Sequence, residues 1–185
     1  MNRTGNRLAI LYGVMGGLLF AAICFACWKG GDSSFANFLF WYRFLPVILI
    51  LFLIGAFQRR KQLGGYLTFK EALAFAFLAY VVYEIFYAAV TVLLFNIVDP
   101  HLQERLVPYI LSRTRESLEK MQTPTSDMSR MLEDARKDFQ GTFTPRQIIL
   151  GFGMSVVYDF AKSVIIALIT QRKNPGLAGS KIADT

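Results

Sequence analysis

Apolar positions along this chain fall in long unbroken blocks, not at the 3.6- or 2-residue spacing of a half-buried helix or strand. Four blocks stand out, at 8–28, 37–57, 70–98 and 146–170, each near the length that crosses a bilayer as a helix. Arg3 and Arg7 precede the first block, as in a signal peptide. That block is longer than a signal h-region, no small-x-small cleavage site follows, and Ile23 before Cys24 makes AAIC a poor lipoprotein box. It is expected to stay as a transmembrane helix. The second block contains Arg43 and Pro46 and ends at Arg59-Arg60-Lys61, and Gly64-Gly65 then turns the chain. Thr68 and Glu71 form a capping box that starts the third helix. Asp99-Pro100 is expected to end that helix and begin another, with Asp99 as N-cap and Pro100 at the first helical position.

Residues 99–144 have a different pattern. Seven Lys or Arg and eight Asp or Glu mix along them, so no large electrostatic field builds up. Val107, Leu111, Leu118 and Met121 fall on one helical stripe, with Pro108 restricting the first turn. After a break at 123–126, Met128, Met131, Leu132, Ala135 and Phe139 form a second stripe. Two amphipathic helices in a hairpin are predicted, closed by Gly141, with Thr144-Pro145 opening the last apolar block. Docking of the hairpin on the rest of the chain is the leading expectation, with the membrane and a partner as alternatives. Residues 171–185 read as a loose tail.

Charge orients these blocks. Arg3, Arg7, Arg59, Arg60, Lys61, Lys70, Arg172, Lys173 and Lys181 lie at one set of block ends, and the loop after the first block holds only Lys29 and Asp32. The positive-inside rule then makes both termini cytoplasmic. Trp28, Trp41, Tyr42 and Tyr109 fall where an outer aromatic belt belongs. The chain is thus predicted to be a single-domain, all-α integral membrane protein of a bacterial inner membrane, with four transmembrane helices and an extracytoplasmic hairpin between the third and fourth. Composition agrees: hydrophobic residues are 54% and mean hydropathy is +0.40. The net charge of +7 is explained by the block ends, so nucleic acid is not an expected partner. The bilayer is, with a membrane protein or a second copy as a further partner.

Order and spacing resemble an uncharacterised family of four-helix membrane proteins from Bacteroidetes, domain of unknown function 4199. The resemblance is carried by Tyr12-Gly13 with Gly17, the stretch from Arg59-Arg60 to Gly64-Gly65-Tyr66-Leu67-Thr68-Phe69-Lys70-Glu71-Ala72, and Asp99-Pro100. The charged hairpin, Phe143-Thr144-Pro145 and the closing Gln171-Arg172-Lys173-Asn174-Pro175 continue it. It implies no catalytic residues. It does suggest one context, an accessory role in a polyprenyl-lipid glycosyltransferase system.

Charges inside spans are costly and need partners or water. Four stand out away from the block ends: Arg43, Glu84, Asp159 and Lys162. At the helical rise, Glu84 lies roughly 21 Å from the outer end of its span, and Asp159 and Lys162 roughly 20 and 24 Å from theirs. They share a level, with Tyr80, Tyr83 and Tyr87 on one helix and Tyr158 on the other. Arg43 is expected near the outer interface, snorkelling or meeting Asn96 or Asp99. Three readings of the midplane cluster stay open: an ion pair fixing helix register with hydroxyls as glue, a ligand or ion site, or a seat for a partner's charged helix. Three ionised groups would sum to −1, so a buried triad needs one carboxyl neutralised or held by tyrosine hydroxyls. Gly13, Gly17 and Ala21 make a small-residue row for close packing within the bundle or in a dimer.

No catalytic set, phosphate loop or metal cluster appears, and the lone His101 makes no metal site. Cys24 and Cys27, a turn apart near the end of an apolar helix, read as packing residues. No cofactor is expected. The expected role is a non-enzymatic accessory or scaffold protein, with a small transporter or channel subunit as the rival.

Overall fold

The protein is described here by a computed structural model covering residues 3–42 and 46–172. Seven α-helices follow in chain order: α1 (Arg3–Lys29), α2 (Asp32–Tyr42), α3 (Val47–Gln62), α4 (Phe69–Val92), α5 (Leu102–Lys120), α6 (Thr125–Thr142) and α7 (Pro145–Thr170). A π-helical turn, Leu93–Val98, prolongs α4. No β-strand occurs among the described residues. A lone antiparallel bridge joins Leu67 to Arg172.

Three helices are long and apolar enough to cross a membrane: Gly5–Lys29, Phe69–Val98 and Pro145–Thr170. The pair α2 and α3 meets that criterion jointly, which allows up to four spans. The surface of α7 agrees with an apolar solvent, since Ile149, Val157 and Leu168 are 71%, 67% and 56% exposed. In water such a surface would drive association. In hydrocarbon it is the ordinary outer face of a span.

Two sequence expectations are corrected. One helix was expected over 37–57, but the structure has α2 and α3 with Pro46 in a turn before Val47. Proline has no N–H to continue the ladder and pushes the residue before it out of the helical region. Arg43 lies outside the described residues, as do Lys173, Lys181 and most of the tail. The second correction concerns Asp99. His101 occupies the cap position of α5, with no side-chain cap bond, and α5 begins at Leu102. The Asp99 carboxylate accepts instead from Arg105, at 2.6 Å (Nη2) and 3.0 Å (Nη1), and from Trp28 Nε1 at 3.0 Å. A guanidinium offers a stronger, charge-assisted bond than a neutral backbone amide. Other local signals hold. Thr68 Oγ1 accepts from the Glu71 backbone N–H, while Glu71 Oε2 accepts from the Thr68 backbone N–H and hydroxyl, closing the capping box. Thr144 Oγ1 accepts from the Gln147 N–H at 3.4 Å at the start of α7.

The chain divides into two compact units. The first comprises Met1–Leu18, Pro46–Glu84 and Met154–Thr185. Glycines set how closely its helices approach. A Cβ on Gly13 would come 2.7 Å from the Ala79 carbonyl and from Val82 Cβ on α4, and one on Gly55 of α3 would strike Phe75 and Tyr12 at 2.9 Å. A Cβ on Gly16 would meet the Phe52 ring at 3.3 Å and Tyr83 at 3.4 Å, a tighter fit than most side chains make. Tyr12 donates to Gln58 Oε1 at 2.6 Å, tying α1 to α3. At the basic end, Leu67 and Arg172 exchange both backbone hydrogen bonds, at 3.0 and 2.8 Å, and Leu67 packs with Ala72 and Ala167.

The second unit comprises Leu19–Leu45 and Ile85–Gly153 and contains the hairpin. α5 buries Leu102, Leu106, Val107 and Leu118, whereas α6 buries no residue. Arg105 is the hub: besides Asp99 it donates to Asp32 at 3.1 Å, joining α2 to α5. Arg113 donates to Asn37 Oδ1 at 2.7 Å, and Gln103 donates to the Phe139 carbonyl at 2.6 Å, which fastens α6 to α5. The π-turn places Asn96 where its amide donates to the Phe143 carbonyl at 3.1 Å.

Two outcomes are expected. Gly13→Leu should lower the thermal midpoint in mild detergent, at an overpacking cost of about 1–3 kcal/mol, because a backbone carbonyl cannot move aside. Gly153→Leu, where a Cβ meets nothing within 4 Å, should leave the midpoint unchanged. The hydrogen bond from Arg105, reinforced by the one from Trp28, holds the Asp99 carboxyl below its usual range against the opposing effect of burial. Its stabilisation is therefore complete above the unfolded carboxyl pKa of about 3.9 and disappears as pH falls through the lower folded value. Asp99→Asn should flatten the acid limb of a stability-against-pH curve below about pH 4, read by thermal unfolding.

Candidate functional site

In the first unit the structure brings together Glu84 and Tyr80 from α4 with Asp159 and Lys162 from α7. Asp159 and Lys162 stand one turn apart on α7, and Lys162 Nζ donates to Asp159 Oδ1 at 2.8 Å. The pair is lopsided: the Asp159 side chain is 1% exposed and that of Lys162 is 47% exposed. The Lys162 ammonium also lies over the Tyr80 ring, 5.4 Å from its centroid. Glu84 is buried on α4, close enough to Asp159 and Lys162 for their charges to act on it.

Donors and acceptors do not balance in this cluster. Asp159 Oδ1 has its ammonium, but Asp159 Oδ2 is buried with no donor on it. Glu84, the group facing it, is acceptor-only when ionised. One proton held between the two carboxyls would supply the missing donor. The cluster thus joins a satisfied ion pair to one buried carboxylate oxygen that has no donor.

Several sequence-singled residues take other places. Tyr158 is 64% exposed and faces away, because adjacent residues on a helix point about 100° apart. Tyr83 packs on Phe52, with ring centroids 6.2 Å apart. Tyr87 belongs to the second unit, where its ring is 4.8 Å from that of Phe20. Gly13 and Gly17 are buried and Ala21 is half-buried. Three buried hydroxyls bond within their own helix: Thr91 to the Tyr87 carbonyl, Ser163 to the Asp159 carbonyl and Thr170 to the Ile166 carbonyl, at 2.6–2.8 Å. This satisfies a hydroxyl in an apolar setting without a neighbour. Of the partners expected for Arg43, Asp99 is engaged by Arg105 and Trp28, and Asn96 by Phe143. Among the described residues no group of three or more His, Cys, Asp or Glu could hold a metal ion. Cys24 and Cys27 are free thiols.

One feature of the second unit had no single motif to announce it. A cavity of about 440 Å³ is walled mainly by aromatic rings, among them Phe20, Phe35, Phe38, Tyr42, Phe95 and Phe143. Phe95, carried by the π-turn, stacks flat on Phe143 at 3.8 Å. The sequence signal was only the density of aromatics around 35–42 and at 139 and 143.

These helices, with apolar outer faces and a buried charge cluster, define a helical membrane protein. The chain belongs to the family described as protein of unknown function (DUF4199), which matches residues 7–172. No curated protein and no solved structure gives a significant match.

A double-mutant cycle tests the pair. Lys162→Met leaves the buried Asp159 without its cation and should lower stability in detergent by on the order of 1–3 kcal/mol. Adding Asp159→Asn, which removes the uncompensated charge, should restore part of that loss, as read by thermal midpoints of the four proteins.

Proposed function

We propose that this protein is a non-enzymatic accessory or scaffold subunit of a bacterial inner membrane, which presents its hairpin outside the bilayer to a membrane-protein partner. The observation that carries this reading is how the hairpin is fixed. α5 is anchored through the Arg105 hub and four buried residues, while α6 buries none. Flexible apolar side chains remain uncovered on this otherwise charged surface: Met121 is 75% exposed and Met131 47%. Methionine adapts to irregular partner surfaces, and a rigidly held helix pair offers it at low ordering cost. The basic block ends support the orientation, with both termini in the cytoplasm and residues 99–144 in the periplasm.

A second reading, a small transporter or channel subunit, is favoured by the accessible Lys162 ammonium beside the under-satisfied Asp159 carboxyl. It predicts proton or cation flux in proteoliposomes that is lost in Asp159→Asn. Flux indistinguishable from empty vesicles would remove it.

The scaffold reading is tested by copurification of the tagged full chain in mild detergent. A stoichiometric partner is expected, and Met121→Glu with Met131→Glu should release it without lowering the thermal midpoint. A monomer with no stable partner, or a partner indifferent to both substitutions, would contradict the proposal.

A further inference from the structure

The aromatic cavity of the second unit has no part in the scaffold reading, and three features describe what it would accept. Its size falls within the range of small-molecule sites. Its deep wall is apolar: Phe20, Phe35 and Phe95 are at most 6% exposed, Cys24 is 3% exposed, and the Thr91 hydroxyl is already spent on the Tyr87 carbonyl. Polar groups enter the lining on the hairpin side, where Asp138 and Thr142 are exposed.

Tyr42, Tyr87, Asp138 and Thr142 bring polar atoms into the lining, but against the deep wall an ordered water finds few of the two to four polar partners it needs. An empty space of this size would forfeit dispersion contacts all round its wall. A polar metabolite would find nothing to replace its hydration against the deep wall. What fits is a slender hydrocarbon chain attached to a polar head, and the bilayer around the apolar helices supplies this at high concentration. The π-turn points the same way. Such turns recur at functional sites, and this one carries Phe95 into the cavity wall while its Asn96 fastens the Phe143 backbone.

We propose that this cavity holds one acyl chain of a bilayer phospholipid, with the lipid's polar head toward Asp138 and Thr142. The occupant is a resident lipid, distinct from the annular lipids that sweep the outer face of α7.

The test uses the full chain in phosphatidylcholine vesicles doped with a phosphatidylcholine whose acyl chain ends in a diazirine. After illumination, labelled peptides are mapped by mass spectrometry. Label is expected on the peptides containing Phe20–Cys24 and Thr91–Phe95, which form the deep wall reached by the chain end, as well as on exposed Val157 and Phe160 near the middle of α7. Cys24→Phe and Ala135→Trp fill the cavity from α1 and from α6 respectively. Each should reduce the cavity label roughly tenfold while the α7 label stays constant. Ala135→Trp lies on a helix that buries no residue, so it keeps the test meaningful if Cys24→Phe folds poorly. Label confined to α7, or cavity label unchanged in both variants, would overturn the proposal.

Discussion

A polar group in hydrocarbon must find its partner within the protein, and much of this structure follows from that rule. The rule explains why Ser163, Thr91 and Thr170 turn their hydroxyls back onto the preceding helical turn. It also explains why Asp159 is tolerated at all: Lys162, one turn on, reaches it at 2.8 Å. The rule is only half met at Asp159 Oδ2, a buried carboxylate oxygen with no donor on it. The ordinary interhelical glue is then left to shape. Gly13 and Gly55 let backbones approach where a single methyl group would collide.

The second unit solves a different problem, since much of its surface is polar. Its hairpin is held by four buried apolar residues of α5, by one arginine that binds two carboxylates, with Trp28 sharing Asp99, and by amide contacts that bind α6 to α5 and the π-turn to Phe143. Along the outer faces, pairs such as Lys120 with Glu116 and Lys137 with Glu133 are exposed and contribute little each. A helix α6 that is fastened to α5 but uncovered results, and the proposed docking role rests on it.

Much of the fold was legible in the sequence because its signals are local. Block length marked the spans, and Thr68 with Glu71 and Thr144 with Pro145 marked two helix starts. Signals failed where a distant group competed. Asp99 has the residue type of an N-cap, but Arg105 and Trp28 claim its carboxylate. Pro46 was visible, yet a block averaged over twenty residues hides the break it makes between α2 and α3. For the candidate site, helical rise placed Glu84, Asp159 and Lys162 at one level but did not give the angle around each helix, so Tyr158 was grouped with them although it faces outward. The aromatic cavity was illegible for a plainer reason. Its walls come from residues as far apart as Phe20, Phe35, Phe95 and Phe143, and no one-dimensional pattern joins them.

The proposed role requires the hairpin to lie outside the membrane and the basic ends to stay within the cell. Single cysteines at Ser126, in the first turn of α6, and at Gln62, at the end of α3, probe this in a chain where Cys24 and Cys27 are replaced by alanine. A membrane-impermeant maleimide is applied to intact spheroplasts and then to permeabilised ones. The account predicts label on the cysteine at 126 in intact spheroplasts and label on the cysteine at 62 only after permeabilisation. The reverse pattern would contradict it.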